Sequence, residues 1–266
     1  MTVFSVERDD DVALVTMLGP AMDHEFFREL PELFRALDAE AGVRAIVLSG
    51  GGPNFSVGLD LKEVAPMFGA LTAGDSNASA RTALLAQVHE WQASITAVAD
   101  CRTPIISAID GWCIGGGIDL VAATDIRFAT ADAKFSVRET KMAIVADLGS
   151  LQRLVGIVGD GHLRELALTG GDIDSARAER IGLVNAVYPD AAQLHEGALA
   201  TAKSIAANPP LVVRGVKDVL DAERAPRVAA GLRYVATWNA AFLPSADLAE
   251  AFASFAEHRR PEFTGA

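Results

Sequence analysis

The stretch that decides the fold of this chain is Gly111–Leu148, with the sequence GWCIGGGIDLVAATDIRFATADAKFSVRETKMAIVADL. A strand-like segment leads into a glycine triplet, Gly115–Gly117, which opens a short apolar helix. Three carboxylates follow, at Asp119, Glu139 and Asp147. Backbone N–H groups at a helix start favour an anion, and nearby carboxylates can move protons. This combination suits chemistry at a carbon next to a carbonyl, where an enolate must be stabilised.

Each of these features also has a purely structural explanation. The glycine triplet could only allow close helix–strand packing, and its spacing is not the dinucleotide fingerprint G-x-G-x-x-G. Asp119 could be a first-turn acid favoured by the helix dipole, Glu139 a solvated loop charge, and Asp147 a helix N-cap. Against this, a carboxylate in the apolar segment around Asp119 is costly to bury without a partner or a function.

A second glycine-containing break lies upstream, after an apolar strand predicted at Arg44–Ser49. The segment Phe55–Lys62, FSVGLDLK, starts a new helix and offers another backbone N–H toward a cleft. Taken alone, it is more often an ordinary strand-to-helix connection. Two such sites in one chain would make an oxyanion hole with two donors.

The periodicity predicts an α/β core followed by an all-helical region, divided as residues 1–190 and 191–266. Asp23 is the predicted cap of an early helix. In the helical region, Pro210–Asp221 and Arg227–Ala241 are predicted as separate helices. Their apolar stripe, too extensive for a lone helical tail to hide, includes Leu232, Val235, Trp238 and Phe242.

Composition limits the class of protein. The 266 residues carry a formal net charge of −12, which argues against nonspecific nucleic-acid binding, although a few local cations could still bind a phosphate-bearing ligand. Signal-peptide and membrane-span patterns are missing, so we expect a cytoplasmic protein that does not enter a membrane. Cys101 and Cys113 are expected to be buried free thiols. The histidines lack metal-ligand spacing, and no phosphate loop or serine elbow occurs.

Together these segments resemble the crotonase superfamily, the enoyl-CoA hydratases and isomerases. The resemblance covers nearly the whole chain, including Phe55–Glu63, Gly111–Asp125, Leu151–Leu154, Ala178–Val187 and Phe255–Phe263. It implies a spiral of β-β-α turns with C-terminal helices that form a homotrimer or a dimer of trimers. It also implies an acyl-CoA thioester substrate, with no metal and no cofactor beyond the coenzyme A of the substrate itself.

The resemblance also implies the residues that bind the substrate. The thioester oxygen would lie between the N–H groups of Val57 and Gly116. The residues expected to contact the substrate and its CoA part are Ser56, Val57, Gly58, Leu59, Asp60, Lys62 and Gly116.

One departure from the family pattern concerns CoA recognition. Between Met17 and Met22 this chain has only Leu-Gly-Pro-Ala, where relatives have a longer loop that often bears a basic residue near the CoA phosphates. Lys62, or Arg259 and Arg260 of a neighbouring subunit, would compensate.

Within the family, the residues at the positions of these three acids differ between enzymes of different activity. Hydratases resemble this chain at Glu139 but carry Glu in place of Asp119 and Gly in place of Asp147. The set found here is instead similar to that of the Δ3,5-Δ2,4-dienoyl-CoA isomerases. Their reaction removes a proton at C2 and adds one at C6, too far apart for one carboxylate. Glu139 and Asp147 would serve the two ends, and Asp119 would tune or orient its neighbours.

The sequence therefore predicts an isomerase of fatty-acid metabolism, of the β-oxidation type, acting on 3,5-dienoyl-CoA. One alternative is a 2-enoyl-CoA hydratase, a lyase that would use Asp119 and Glu139 to activate water. Another is a noncatalytic CoA-binding protein. The three acids argue against this last alternative, because a binding protein has no need to bury them.

Overall fold

The computed structural model describes residues 2–72 and 78–266. The strands in this part of the chain are β1 (Phe4–Asp9), β2 (Val12–Met17), β3 (Ala21–Met22), β4 (Ala45–Gly50), β5 (Gly58–Leu59), β6 (Ile105–Ile109), β7 (Trp112–Ile114), β8 (Ile126–Thr130), β9 (Lys134–Ser136), β10 (Ile173–Asp174) and β11 (Ala186–Tyr188). The helices are α1 (His24–Ala39), α2 (Leu61–Thr72), α3 (Ala78–Ala99), α4 (Gly116–Ala122), α5 (Ser150–Arg153), α6 (Val155–Val158), α7 (Asp160–Thr169), α8 (Ser175–Arg180), α9 (Ala191–Ala206), α10 (Pro210–Phe242) and α11 (Ala246–Ala256). A 3-10 turn covers Glu139–Met142.

The strands form one large sheet and two small ones. The large sheet has the order β1-β2-β4-β6-β8-β11, in which β1 and β2 form an antiparallel hairpin and the other neighbours are parallel. The small sheets are β3-β5 and β10-β9-β7, linked by a bridge between Ser56 and Cys113. The chain thus passes from a large-sheet strand to a small-sheet strand and then to a helix, as in β2-β3-α1 and β6-β7-α4. This is the spiral of β-β-α turns that the resemblance implies.

Helix α1 illustrates how the sequence determines an element. The Asp23 side chain caps it by accepting a hydrogen bond from the Phe26 N–H at 2.8 Å, as predicted. Its apolar stripe is buried in the main core, which lies between the helices and one face of the large sheet. The stripe consists of Phe26, Phe27, Leu30, Phe34 and Leu37. The two cysteines are buried and free, also as predicted.

The region after residue 190 is helical, and its first helix covers the other face of the large sheet. Leu194, Ala198 and Ala202 of α9 pack against Val47 and Ile106. The small side chains let the helix approach the strands closely. In the described residues, no helix is long and apolar enough to cross a bilayer.

The prediction of separate helices at Pro210–Asp221 and Arg227–Ala241 is wrong, because α10 runs unbroken through Pro226 for 33 residues. Proline removes one backbone hydrogen bond and usually bends or ends a helix. Here tertiary contacts on both sides of Pro226 attach the helix to the rest of the subunit. Lys217 forms a 2.8 Å ion pair with Asp125 before the proline, and Asn239 donates to the Val145 carbonyl at 2.8 Å after it.

Candidate active site

Two backbone N–H groups, those of Leu59 and Gly116, lie side by side where β5 and α4 meet. Gly58 has a φ of +82°, and a Cβ added to it would lie 3.2 Å from the Gly116 nitrogen. A Cβ added to Gly116 would lie 3.8 Å from the Leu59 nitrogen. Gly116 is also the first residue of α4, so its N–H has no acceptor within the helix. Glycine at both positions therefore permits a two-donor cradle for an oxyanion.

The structure does not support the prediction that Val57 is one of these donors. The Val57 N–H donates to the Pro20 carbonyl at 2.8 Å and is not free for a ligand. In a regular strand, the N–H groups of Val57 and Leu59 would point the same way. The positive φ of Gly58 breaks that alternation, and the Leu59 N–H is the one beside Gly116.

Two other residues of this motif, Ser56 and Asp60, form hydrogen bonds with the backbone of the same chain. The Ser56 hydroxyl donates to the Pro20 carbonyl at 3.0 Å and accepts from the Gly58 N–H at 3.2 Å. Asp60 accepts from the Lys62 N–H at 2.9 Å, which caps the start of α2. Lys62 itself is exposed, and its side chain remains available to an anion.

Asp119 is held rigidly inside the protein. Its side chain is 1% exposed, and its Oδ1 accepts a hydrogen bond from the Ser150 N–H at 2.5 Å. Burial raises the pKa of Asp119, whereas the Ser150 hydrogen bonds and the charge of Arg153 oppose that rise. Asp119 therefore lies in the first turn of α4 and also binds the first residue of α5, tying two elements of the site together.

Glu139 begins the 3-10 turn and is not a solvated loop charge. Its Oε1 lies 3.7 Å from the position that a Cβ on Gly115 would take, next to the N–H cradle. Its Oε2 is buried and has no hydrogen-bond partner among the described residues. Burial and then the charge of Asp119 raise the pKa of Glu139. An unpaired carboxylate oxygen with a raised pKa is well suited to accept a proton.

Asp147 is not the N-cap of α5, because Gly149 occupies that position and makes no side-chain cap. Its carboxylate Oδ2 accepts a hydrogen bond from the Asn239 side chain of α10 at 2.7 Å. Its backbone carbonyl accepts one from the Gln92 side chain of α3, also at 2.7 Å. Burial raises the pKa of Asp147 to about 7, with the Asn239 hydrogen bond opposing the rise.

The three predicted acids therefore come together in one cluster. Asp119 and Glu139 are close enough to share a hydrogen bond. The charges of both Asp119 and Asp147 raise the pKa of Glu139. A cluster of this kind keeps part of its protons near neutral pH, so it can both take and give a proton.

Sequence reasoning missed Asn239 and Gln92, which hold Asp147 in place. Both are buried, with Asn239 1% and Gln92 6% exposed. The signal that could have found Asn239 is its position in the apolar stripe of α10, between Val235 and Leu243. A polar side chain on a buried helix face needs a hydrogen-bond partner.

Comparison with known proteins identifies the class to which this fold and site belong. A crystal structure of an enoyl-CoA hydratase/isomerase from Pseudoalteromonas atlantica T6c superposes with a TM-score of 0.84 at 25% identity, covering 98% of this chain and 100% of the other. The family model for enoyl-CoA hydratase/isomerase matches residues 7–266. This chain therefore belongs to the enoyl-CoA hydratase/isomerase family.

Two similar relatives have a more specific name. The mitochondrial Δ3,5-Δ2,4-dienoyl-CoA isomerase of Dictyostelium discoideum is 45% identical over 91% of this chain and 83% of its own length. The peroxisomal Δ3,5-Δ2,4-dienoyl-CoA isomerase of Arabidopsis thaliana is 42% identical over 91% of this chain and 87% of its own. These names contradict our expectation of a cytoplasmic protein. That expectation depended on missing signal-peptide and membrane patterns, which do not distinguish the cytoplasm from an organelle.

Proposed function

We propose that this protein isomerises 3,5-dienoyl-CoA to 2,4-dienoyl-CoA. The observation that carries the proposal is the position of the Glu139 carboxylate. Its Oε1 lies beside the N–H cradle, and its Oε2 has no hydrogen-bond partner among the described residues. A second acid with a raised pKa, Asp147, is held nearby by another element. The names of the similar relatives support the same reaction. A hydratase requires no acid at position 147.

In the proposed mechanism, the thioester oxygen accepts hydrogen bonds from the Leu59 and Gly116 N–H groups. Glu139 takes the C2 proton, and the electron pair of the C–H bond moves into a conjugated enolate that extends from the oxygen to C6. Each backbone donor would contribute about 3 kcal/mol to stabilising that enolate. Asp147 then gives its proton to C6, which leaves double bonds at C2–C3 and C4–C5. A later proton exchange between the acids restores the starting state.

Asp119 would support these steps without touching the substrate. It is buried, and the Ser150 N–H occupies its Oδ1. This arrangement counts against the hydratase alternative, in which Asp119 and Glu139 would together have to bind a water molecule in the cleft. The negative charge of Asp119 makes Glu139 a stronger base.

The proposal includes a homotrimer or a dimer of trimers, in which exposed aromatic residues of α10 are covered by a second copy of the chain. Leu232 and Val235 of the predicted stripe are buried within the subunit itself, whereas Trp238 and Phe242 are 42% and 60% exposed.

Lys62 is the proposed contact for a CoA phosphate within the subunit, since Arg259 is already paired with Glu250.

A paired assay tests the reaction. Purified protein should convert 3,5-dienoyl-CoA to the conjugated 2,4-dienoyl-CoA, which is followed by its ultraviolet absorbance. Hydration of 2-enoyl-CoA is measured in parallel, and Glu139→Gln is the inactive control for both assays. Fast hydration without dienoyl turnover would reverse our choice between the two enzymes. Tight CoA binding with neither activity would favour the noncatalytic binding protein.

A further inference from the structure

The long helix α10 contacts the candidate active site through the side chain of Asn239. Asn239 is 1% exposed, and its Nδ2 donates to the Asp147 carboxylate at 2.7 Å and to the Val145 carbonyl at 2.8 Å. Both N–H bonds of the amide are thus directed at the segment that carries the second acid. This segment lies between the 3-10 turn and α5 and has no regular structure of its own.

We infer that Asn239 is a positioning residue, whose amide orients the Asp147 carboxyl toward the distal end of the diene and sets the pH range over which it can donate a proton. This inference rests on the proposed isomerase reaction. Because one amide nitrogen bridges a carboxylate and a backbone carbonyl, it fixes the rotamer of Asp147 relative to its own main chain. The carboxyl group is thereby held in one orientation for the proposed proton transfer.

The charged groups around Asp147 explain why a neutral amide is suited to this position. The charge of Asp119 on α4 raises the pKa of Asp147, and the charge of Asp147 in turn raises the pKa of Glu139 in the 3-10 turn. Arg153 of α5 lies behind the segment, where it donates to the Leu148 carbonyl at 3.1 Å. Gln92 of α3 is neutral and donates to two backbone carbonyls, that of Asp147 at 2.7 Å and that of Leu232 at 3.0 Å. A cation in place of Asn239 would hold Asp147 ionised, whereas an apolar residue would leave its charged form poorly stabilised.

The test compares two variants that each remove one hydrogen bond to the same residue. Asn239→Leu removes the donor to the carboxylate, and Gln92→Met removes the donor to the backbone carbonyl. Rates of dienoyl-CoA isomerisation are measured from about pH 5 to pH 9, with thermal unfolding as a check on folding. In the plot of rate against pH, the alkaline limb is the fall in rate where Asp147 loses its proton. This limb should move to higher pH by roughly half to one unit in Asn239→Leu. It should stay in place in Gln92→Met, even if kcat falls.

A second readout separates positioning from general damage. Exchange of the C2 proton with deuterated solvent depends on Glu139, so it should continue in Asn239→Leu while isomerisation slows. If Asn239→Leu does not fold, Asn239→Ser supplies the same comparison, because its short side chain cannot bridge both acceptors. An unmoved alkaline limb in a folded, active variant, or an equal shift in Gln92→Met, would overturn the inference. Lack of dienoyl turnover by the unmodified protein would instead disprove the proposed function.

Discussion

The three acids differ in what their surroundings let each of them do. Asp119 accepts a hydrogen bond from a backbone N–H, and Asp147 accepts one from an amide. Glu139 has a buried oxygen with no hydrogen-bond partner in the described part of the chain. Three identical functional groups in one pocket would compete for the same proton. Their different partners instead give each acid a separate role.

The proposed roles of Glu139 and Asp147 can be separated by substitution. Glu139→Gln keeps the size of the side chain but removes the proposed base, so kcat should fall by about 10²–10⁴-fold and exchange at C2 should stop. Asp147→Asn should block protonation at C6 but still allow exchange of the C2 proton, measured by mass spectrometry in deuterated solvent. If Asp147→Asn isomerises at the unmodified rate, Asp147 is not the distal donor.

Asp147 should also make the stability of the protein depend on pH. Its pKa is about 7 in the folded protein and 3.8 in a model peptide. Between these values the folded state retains a proton that the unfolded state has lost, so this group reduces stability as pH rises from about 4 to 7. Asp147→Asn removes that effect, and its melting temperature should exceed that of the unmodified protein by more at pH 8 than at pH 5.

A suitable control for this measurement is Asp132→Asn, which changes an exposed acid. It should give no gain that grows with pH. A pH-independent difference for Asp147→Asn would mean that the carboxylate is not desolvated in the folded protein.

At the scale of secondary-structure elements, α10 contains an interior proline whose effect on the free energy of unfolding can be measured. Pro226 is exposed and lacks the N–H that a continuous helix would use. Pro226→Ala should raise the free energy of unfolding by up to about 3 kcal/mol, seen in thermal or denaturant unfolding. Pro210→Ala, at the first position of the same helix, gains no hydrogen bond and should have little effect. A lower stability for Pro226→Ala would show that the packing of α10 requires a bend there.

The sequence predicted helix α1 because its signals are local. The stripe and cap of α1 specify a helix without reference to the rest of the chain. The short strands β3, β5 and β10 were missed, since two residues give no periodicity. The continuity of α10 was missed because it depends on Asp125, which is distant in sequence.

The candidate site, too, could be predicted only where its signals are local in the sequence. The identity of the three acids was visible from their spacing and from the resemblance to a family. The choice of Leu59 over Val57 was not, because it depends on the single positive φ at Gly58 and on the approach of Gly116. The contact of Asn239 with Asp147 joins positions 92 residues apart.

At the scale of the whole molecule, the outer face of α10 predicts assembly. Tyr234, Trp238 and Phe242 are exposed at successive turns, and the rings of Trp238 and Phe242 lie 4.5 Å apart. An aromatic row of this kind is typical of an interface. Light scattering at micromolar concentration should give a trimer or hexamer, and Trp238→Glu should reduce the mass. Val6→Glu, a change at a similarly exposed apolar residue on β1, should not. A monodisperse monomer of the unmodified protein would contradict the prediction.

Helix α10 has Trp238 on its outer face and Asn239, the next residue, inside the active site. Because the two residues are adjacent, loosening of a subunit contact at Trp238 should also disturb the Asn239 side chain that holds Asp147. We expect the specific activity toward dienoyl-CoA to fall when the enzyme is diluted below the dissociation constant of its subunits. Exchange at C2 should persist under the same conditions, because Glu139 belongs to the spiral core. The rate of protonation at C6 would then depend on the enzyme concentration, whereas the rate of proton removal at C2 would not.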